Sequence, residues 1–178
     1  MSPNIIEQIF AKLYGVPSWA VREGYASSLT LEFGNPHQEI LPVINREPNR
    51  PFSHPTRQVS VKGDWHLWID CCSWRITQDG RLLATAESSR ESIAAACGVL
   101  DGQALSEFTF KPERGASAFR FDLGGKLTTL PFDFDDDLLE EWYLFCPDGY
   151  VLSYRSDGAF SHARSDSTGG EFGRIDAA

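Results

Sequence analysis

Residues 64–76 read Asp-Trp-His-Leu-Trp-Ile-Asp-Cys-Cys-Ser-Trp-Arg-Ile, which puts a histidine, two carboxylates, two adjacent thiols and three tryptophans in one short run. Three chemistries suit those residue types. His66, with Asp64 or Asp70 to orient its ring, could exchange a proton near neutral pH. Cys71 and Cys72 could form a redox pair or bind a soft metal as thiolates. The tryptophans could stack on a ligand or fill a core. A second run, Asp133-Phe-Asp135-Asp136-Asp137, places acids at the first, third and fifth positions of a calcium loop.

Each chemistry has a structural counterpart. No histidine or cysteine at ligand spacing completes a metal site around Cys71 and Cys72, and no CxxC pair occurs. In the calcium register, Leu138 stands where glycine should turn the chain and Leu144 stands where the bidentate glutamate belongs, so 133–141 reads as a solvated acidic surface. The histidines, His37, His54, His66 and His162, are scattered, and no GxSxG, HExxH, P-loop or GxGxxG pattern accompanies them. The common reading of such a histidine is a satisfied structural one. The sequence therefore assigns no catalytic residue, metal or cofactor. It leaves His66, Trp68, Tyr143, Asp135, Asp136 and Asp137 as binding candidates.

These residues must be held by regular elements, and hydrophobic periodicity gives those. Ile6, Ile9, Phe10, Leu13 and Tyr14 repeat at helical spacing, predicting a helix over 3–14 that stops at Gly15. A second helix fits 89–99, with Ser88 or Ser89 to cap it and Gly102 after its end. Between and beyond them lie short strand-like runs: 19–23, 28–33, 40–44, 58–61, 65–69, 73–77, 82–87, 104–110, 118–123, 127–132, 141–146, 150–155 and 159–162. Pro48, Pro51 and Pro55 predict a long exposed loop over 45–56, and the polar, glycine-rich 163–178 predicts a flexible tail. Along 65–69, alternation sends Trp65, Leu67 and Ile69 to one face and His66 and Trp68 to the other. Aromatic residues on both sides predict a sheet covered on both faces.

The two halves, 3–87 and 88–162, look alike. Ser28-Leu-Thr-Leu-Glu-Phe-Gly aligns with Ala118-Phe-Arg-Phe-Asp-Leu-Gly, Leu41-Pro42 with Leu130-Pro131, and Trp65-His-Leu-Trp with Trp142-Tyr-Leu-Phe. Asp79-Gly80 then meets Asp157-Gly158, and Cys71-Cys72 falls near the turn at Asp148-Gly149. The expected fold is α+β: a mostly antiparallel twisted sheet or partly open barrel, built from two similar helix-plus-meander halves, in one domain over 1–162.

Composition limits the partners. Lys+Arg 16 against Asp+Glu 25 gives a net charge of −9, which disfavours nucleic acid and anionic membranes and favours a basic protein partner. The N-terminus lacks the basic and apolar regions of a secretory signal, and no apolar run is long enough to span a membrane, so a cytoplasmic protein is expected.

The motifs Val21-Arg-x-Gly24, Leu31-Glu-Phe-Gly34, Trp65-His-Leu-Trp-Ile-x-x-Cys72-x-Trp-Arg-Ile76, Leu100-Asp-Gly-Gln103, Phe121-Asp-Leu-Gly-Gly125 and Trp142-Tyr-Leu-Phe-x-Pro-Asp-Gly149 resemble a family of uncharacterised bacterial proteins. The resemblance covers residues 15–160 and implies no activity. Small acidic α+β proteins of this kind also resemble, in type, the immunity proteins of bacterial toxin systems. Two functions follow as expectations. The first is a non-catalytic interaction module that meets a protein through its acidic surface or the 45–56 loop. The alternative is a small-molecule-binding protein or enzyme with a pocket between the halves, lined by His66, Trp68 and Tyr143.

Overall fold

A computed structural model describes residues 5–43, 55–132, 138–166 and 171–174. In chain order the elements are helix α1 (Ile5–Phe10) and strands β1 (Ser18–Glu23), β2 (Leu29–Phe33), β3 (His37–Ile40), β4 (Val59–Lys62), β5 (Trp65–Ile69), β6 (Ser73–Gln78) and β7 (Arg81–Thr85). Helix α2 (Arg90–Leu100) follows, then β8 (Leu105–Lys111), β9 (Ala116–Phe121), β10 (Gly125–Leu130), β11 (Glu140–Phe145), β12 (Tyr150–Arg155), β13 (Ala159–Arg164) and β14 (Gly173–Arg174). All strand pairings are antiparallel among the described residues.

The strands form two open sheets and one separate hairpin. The first sheet runs β1-β2-β5-β11-β12-β13-β14, the second β7-β6-β10-β9-β8, and β3-β4 stand apart. Neither sheet closes on itself, so of the two expected forms it is the twisted open sheet that occurs. Alternation drives the two sheets together. Leu31, Leu67, Leu144 and Leu152 form one row on the inner face of the first sheet, and Ile76, Leu127 and Phe119 answer from the second, all buried.

The helices bury their apolar stripes in the same core. Ser89 caps α2 by accepting from the Ser92 N–H, and Ile93, Ala96, Cys97 and Leu100 fall at helical spacing on its buried side. Helix α2 touches β1 of one sheet and β7, β6 and β10 of the other, so it bridges both layers. Helix α1 is shorter than expected, yet its Phe10 stacks on Phe108 at 3.8 Å and meets Trp142 edge-on.

The segments that align in the sequence, Trp65-His-Leu-Trp and Trp142-Tyr-Leu-Phe, are sheet neighbours. Strand β5 lies beside β11, with Leu67 opposite Leu144 and Trp68 opposite Tyr143. Element order gives another match. Each half runs helix, three strands in one sheet, then a crossing to the other sheet: β1-β2-β5 then β6-β7, and β8-β9-β10 then β11-β12. In that order β6 answers β11, so buried Trp74 with Asp79-Gly80 matches buried Trp142 with Asp148-Gly149. Cys71 and Cys72 then sit where the chain crosses between sheets, rather than in a hairpin turn.

Two further boundaries moved. The strand expected at 40–44 is found at His37–Ile40, because Pro42 has no N–H to donate and β4 fixes the pairing as Ile40 opposite Val59. Within the stretch read as a tail, Ala163 and Arg164 complete β13, and Gly173 pairs with Phe160. Most of the 45–56 loop lies outside the described residues.

Candidate functional site

Cross-strand pairing lays two rows of side chains across the outer face of the first sheet. One runs Thr30, Trp68, Tyr143, Ser153, Ser161; the other runs Glu32, His66, Phe145, Val151, Ala163. Sheet coverage on both faces was expected, and the β3–β4 hairpin lines a cleft over part of this face. Trp68, Tyr143 and Phe145 are half-buried. Trp68 stacks on Tyr143 at 5.3 Å, and His66 meets Phe145 at 5.5 Å. The aromatic ridge separates two clefts, which share Trp68 and Phe145.

The larger cleft has a volume of about 470 Å³ and is roofed by the polar side of the β3–β4 hairpin. His37, Glu39 and Lys62 reach into it from the hairpin; His66, Trp68 and Phe145 form its floor and wall. Beneath the floor lies Glu32, wholly buried. His66 Nδ1 donates to Glu32 Oε1 at 2.8 Å, and the Gly63 N–H donates to Oε2 at 2.9 Å. Lys62 Nζ stands 3.6 Å from Oε1. The loop geometry behind this is specific, because a Cβ at Gly63 would collide with the Phe33 backbone. Only glycine lets β4 and β5 turn tightly enough to aim that N–H at Glu32. Burial alone would raise the Glu32 carboxyl, but the His66 hydrogen bond, the Gly63 N–H and the charges of His66 and Lys62 outweigh it and hold the group below its ordinary 4.5.

The chemical result is an oriented imidazole. With Nδ1 committed to Glu32, Nε2 is the ring's remaining polar atom on a residue that lines the cleft. Lys62 Nζ lies 3.5 Å from both ring nitrogens, at the outer limit of a hydrogen bond.

The structure sorts the sequence candidates. His66 and Trp68 line this cleft, whereas Tyr143 lines the neighbouring one of about 330 Å³ and donates its hydroxyl to Glu140. Asp135, Asp136 and Asp137 lie outside the described residues. Neither expected partner of His66 serves it: Asp64 instead accepts from the Asn35 N–H and side-chain amide, and Glu32 takes the role. Among the described residues the two sheets face each other across a cluster of buried apolar side chains. The cleft sits outside, where β5 of the first half pairs with β11 of the second.

A second buried carboxylate faces inward. A bulge between Glu140 and Trp142 turns both Glu141 and Trp142 into the core, where Thr129 Oγ1 donates to Glu141 Oε2 at 2.9 Å. Glu141 Oε1 and the Tyr154 hydroxyl have no hydrogen-bond partner among the described residues. Burial pushes the Glu141 carboxyl up to about 8. In the unfolded chain the group ionises near 4.5, so folding takes up a proton between 4.5 and about 8. Stability is therefore expected to fall as pH rises through that window, and Glu141→Gln to flatten the decline; urea melts across the window check it.

Among the described residues no group of three or more His, Cys, Asp or Glu is placed to hold a metal ion. Cys71 is exposed and Cys72 buried, with both thiols raised first by burial and then by neighbouring carboxylates, so neither is activated as a nucleophile. No described helix is long and apolar enough to cross a membrane.

Comparison with family models, with curated proteins and with solved structures finds no match. Fold and site together define an α+β protein of two facing antiparallel sheets with a polar-floored aromatic cleft on one outer face.

Proposed function

We propose that the protein binds a small molecule in the cleft between the β3–β4 hairpin and the β5–β11 strand pair. The observation that carries this reading is Glu32. A buried carboxylate paired with a histidine stabilises a fold less than an apolar side chain of the same size would, so its presence is best explained by what it holds in position. It holds His66 at the floor of a cleft whose volume suits a small ligand. Trp68 and Phe145 offer apolar ring faces, and His66 Nε2 offers a hydrogen-bonding atom. A ligand with a flat ring and an N–H or O–H beside it satisfies both.

Calorimetric titration with indole, phenol and benzamide tests the reading. At least one is expected to bind in the millimolar range, and Trp68→Ala to weaken it tenfold or more without unfolding, since Trp68 is only half-buried. Failure of all three to bind, or a silent Trp68→Ala, overturns it.

Such a failure would favour a second reading, the non-catalytic interaction module with a basic partner. Its support is the other side of the hairpin, where Ile40, Val59 and Val61 are exposed together, added to the charge of −9. The shared order of elements supports a duplication, in the register that matches β5 to β10 and β6 to β11. The motif resemblance supports a bacterial, cytoplasmic setting.

A further inference from the structure

The outer face of the second sheet carries a cleft of different chemistry at the corresponding place, where β6 of the first half pairs with β10 of the second. Its volume is about 540 Å³. Pairing aligns Thr77, Lys126, Arg120 and Glu107 in one row, with Arg75 opposite Thr128 in the next. Lys126 therefore has Arg120 directly across from it, and Arg75 lies on its diagonal. Like charges directly opposite on one sheet face repel and lower stability. Arg120 is relieved by Glu107 at 3.0 Å, but that pair is exposed on both sides and does not reach Lys126 or Arg75. Asp79 is the one carboxylate among the residues described as lining the cleft.

We propose that this face binds a small ligand bearing two or more phosphate groups. An anion seated between Lys126, Arg120 and Arg75 removes the repulsion that the empty sheet carries. Arg75 can grip a phosphate with two N–H groups, Lys126 supplies a point charge, and the Thr77 and Thr128 hydroxyls supply further donors. The chemistry selects a small polyphosphate over a nucleic-acid strand for two reasons. The rest of the chain is strongly acidic and repels an extended polyanion. Among the described residues the cleft has no exposed aromatic ring for base stacking, since its Phe121 is buried.

Inorganic tripolyphosphate is the probe, titrated at low salt into the full-length ¹⁵N-labelled protein, in wild type and in the Lys126→Thr and Arg75→Gln variants. Amide shifts are expected at Thr77, Lys126 and Thr128 and not at His66 or Trp68. Affinity should fall at least tenfold in each variant and decline steeply with added salt. Lys126→Thr removes the opposed charge, so its melting temperature should equal or exceed that of wild type, which separates lost binding from lost folding. No shifts at millimolar probe, shifts centred on His66, or unchanged affinity in both variants would overturn the proposal. So would a single-stranded oligonucleotide that binds more tightly than tripolyphosphate.

Discussion

Trp142→Ala is expected to destabilise the protein by about 3–5 kcal/mol, the range for removing a large aromatic side chain from a core. The site gives little room to relax. Trp142 is wholly buried, stacks on Tyr154 at 5.3 Å, and meets Phe10, Phe108 and Phe119 edge-on from a helix and the facing sheet. Its indole N–H donates to Ser117 Oγ at 3.0 Å, which ties the first sheet to the second. Truncation removes contacts on four elements and leaves the buried Ser117 hydroxyl without that donor. Trp142→Phe, which keeps most of the ring and loses the hydrogen bond, should cost about 1–2 kcal/mol. Denaturant melts of the two variants measure both figures, and equal losses would contradict this division.

Glu32→Ala is expected to cost about 3 kcal/mol, the low end of the range for removing one member of a buried pair. The low end applies because His66 and Lys62 keep partial access to water while Glu32 has none. The Gly63 N–H has no such escape. The variant should also change the acid limb of the stability curve. Glu32 is held below its ordinary 4.5, so it contributes stability that is present above that value and lost as pH falls through the lower folded one. Glu32→Ala loses this limb. With Glu141 acting in the opposite sense at higher pH, wild-type stability should peak near the ordinary carboxylate range rather than at neutral pH. Acid titration of the folded fraction, followed by circular dichroism, checks the limb; an unchanged acid midpoint in Glu32→Ala would contradict it.

What the sequence made legible was periodic. Strands such as Trp65–Ile69 and Tyr150–Arg155 lie where their runs of strand-forming residues put them, and α2 starts at the serine cap that its sequence advertises. What it hid was long-range. Glu32 lies 34 positions from His66, and the two meet only because β2 and β5 pair in one register out of several that alternation allows. Glu32 sits between Leu31 and Phe33, on the polar row of its strand, where an acid normally reads as solvent-facing. The only local hint was Gly63, a glycine before a strand with no turn partner in sequence. Trp65-His-Leu-Trp and Trp142-Tyr-Leu-Phe, alike in composition, pair as neighbours and share one face. Coverage of the outer face is partial, because aromatics on a strand record apolar surroundings without saying whether protein or ligand supplies them.

The most direct test of the cleft is where a bound fragment lies. With whichever of indole, phenol or benzamide binds most tightly, intermolecular nuclear Overhauser effects should connect its ring protons to Trp68 and Phe145, and its N–H or O–H should shift the His66 Nε2 resonance. Contacts to any other face, or a His66 ring that does not respond to the fragment, would contradict the account.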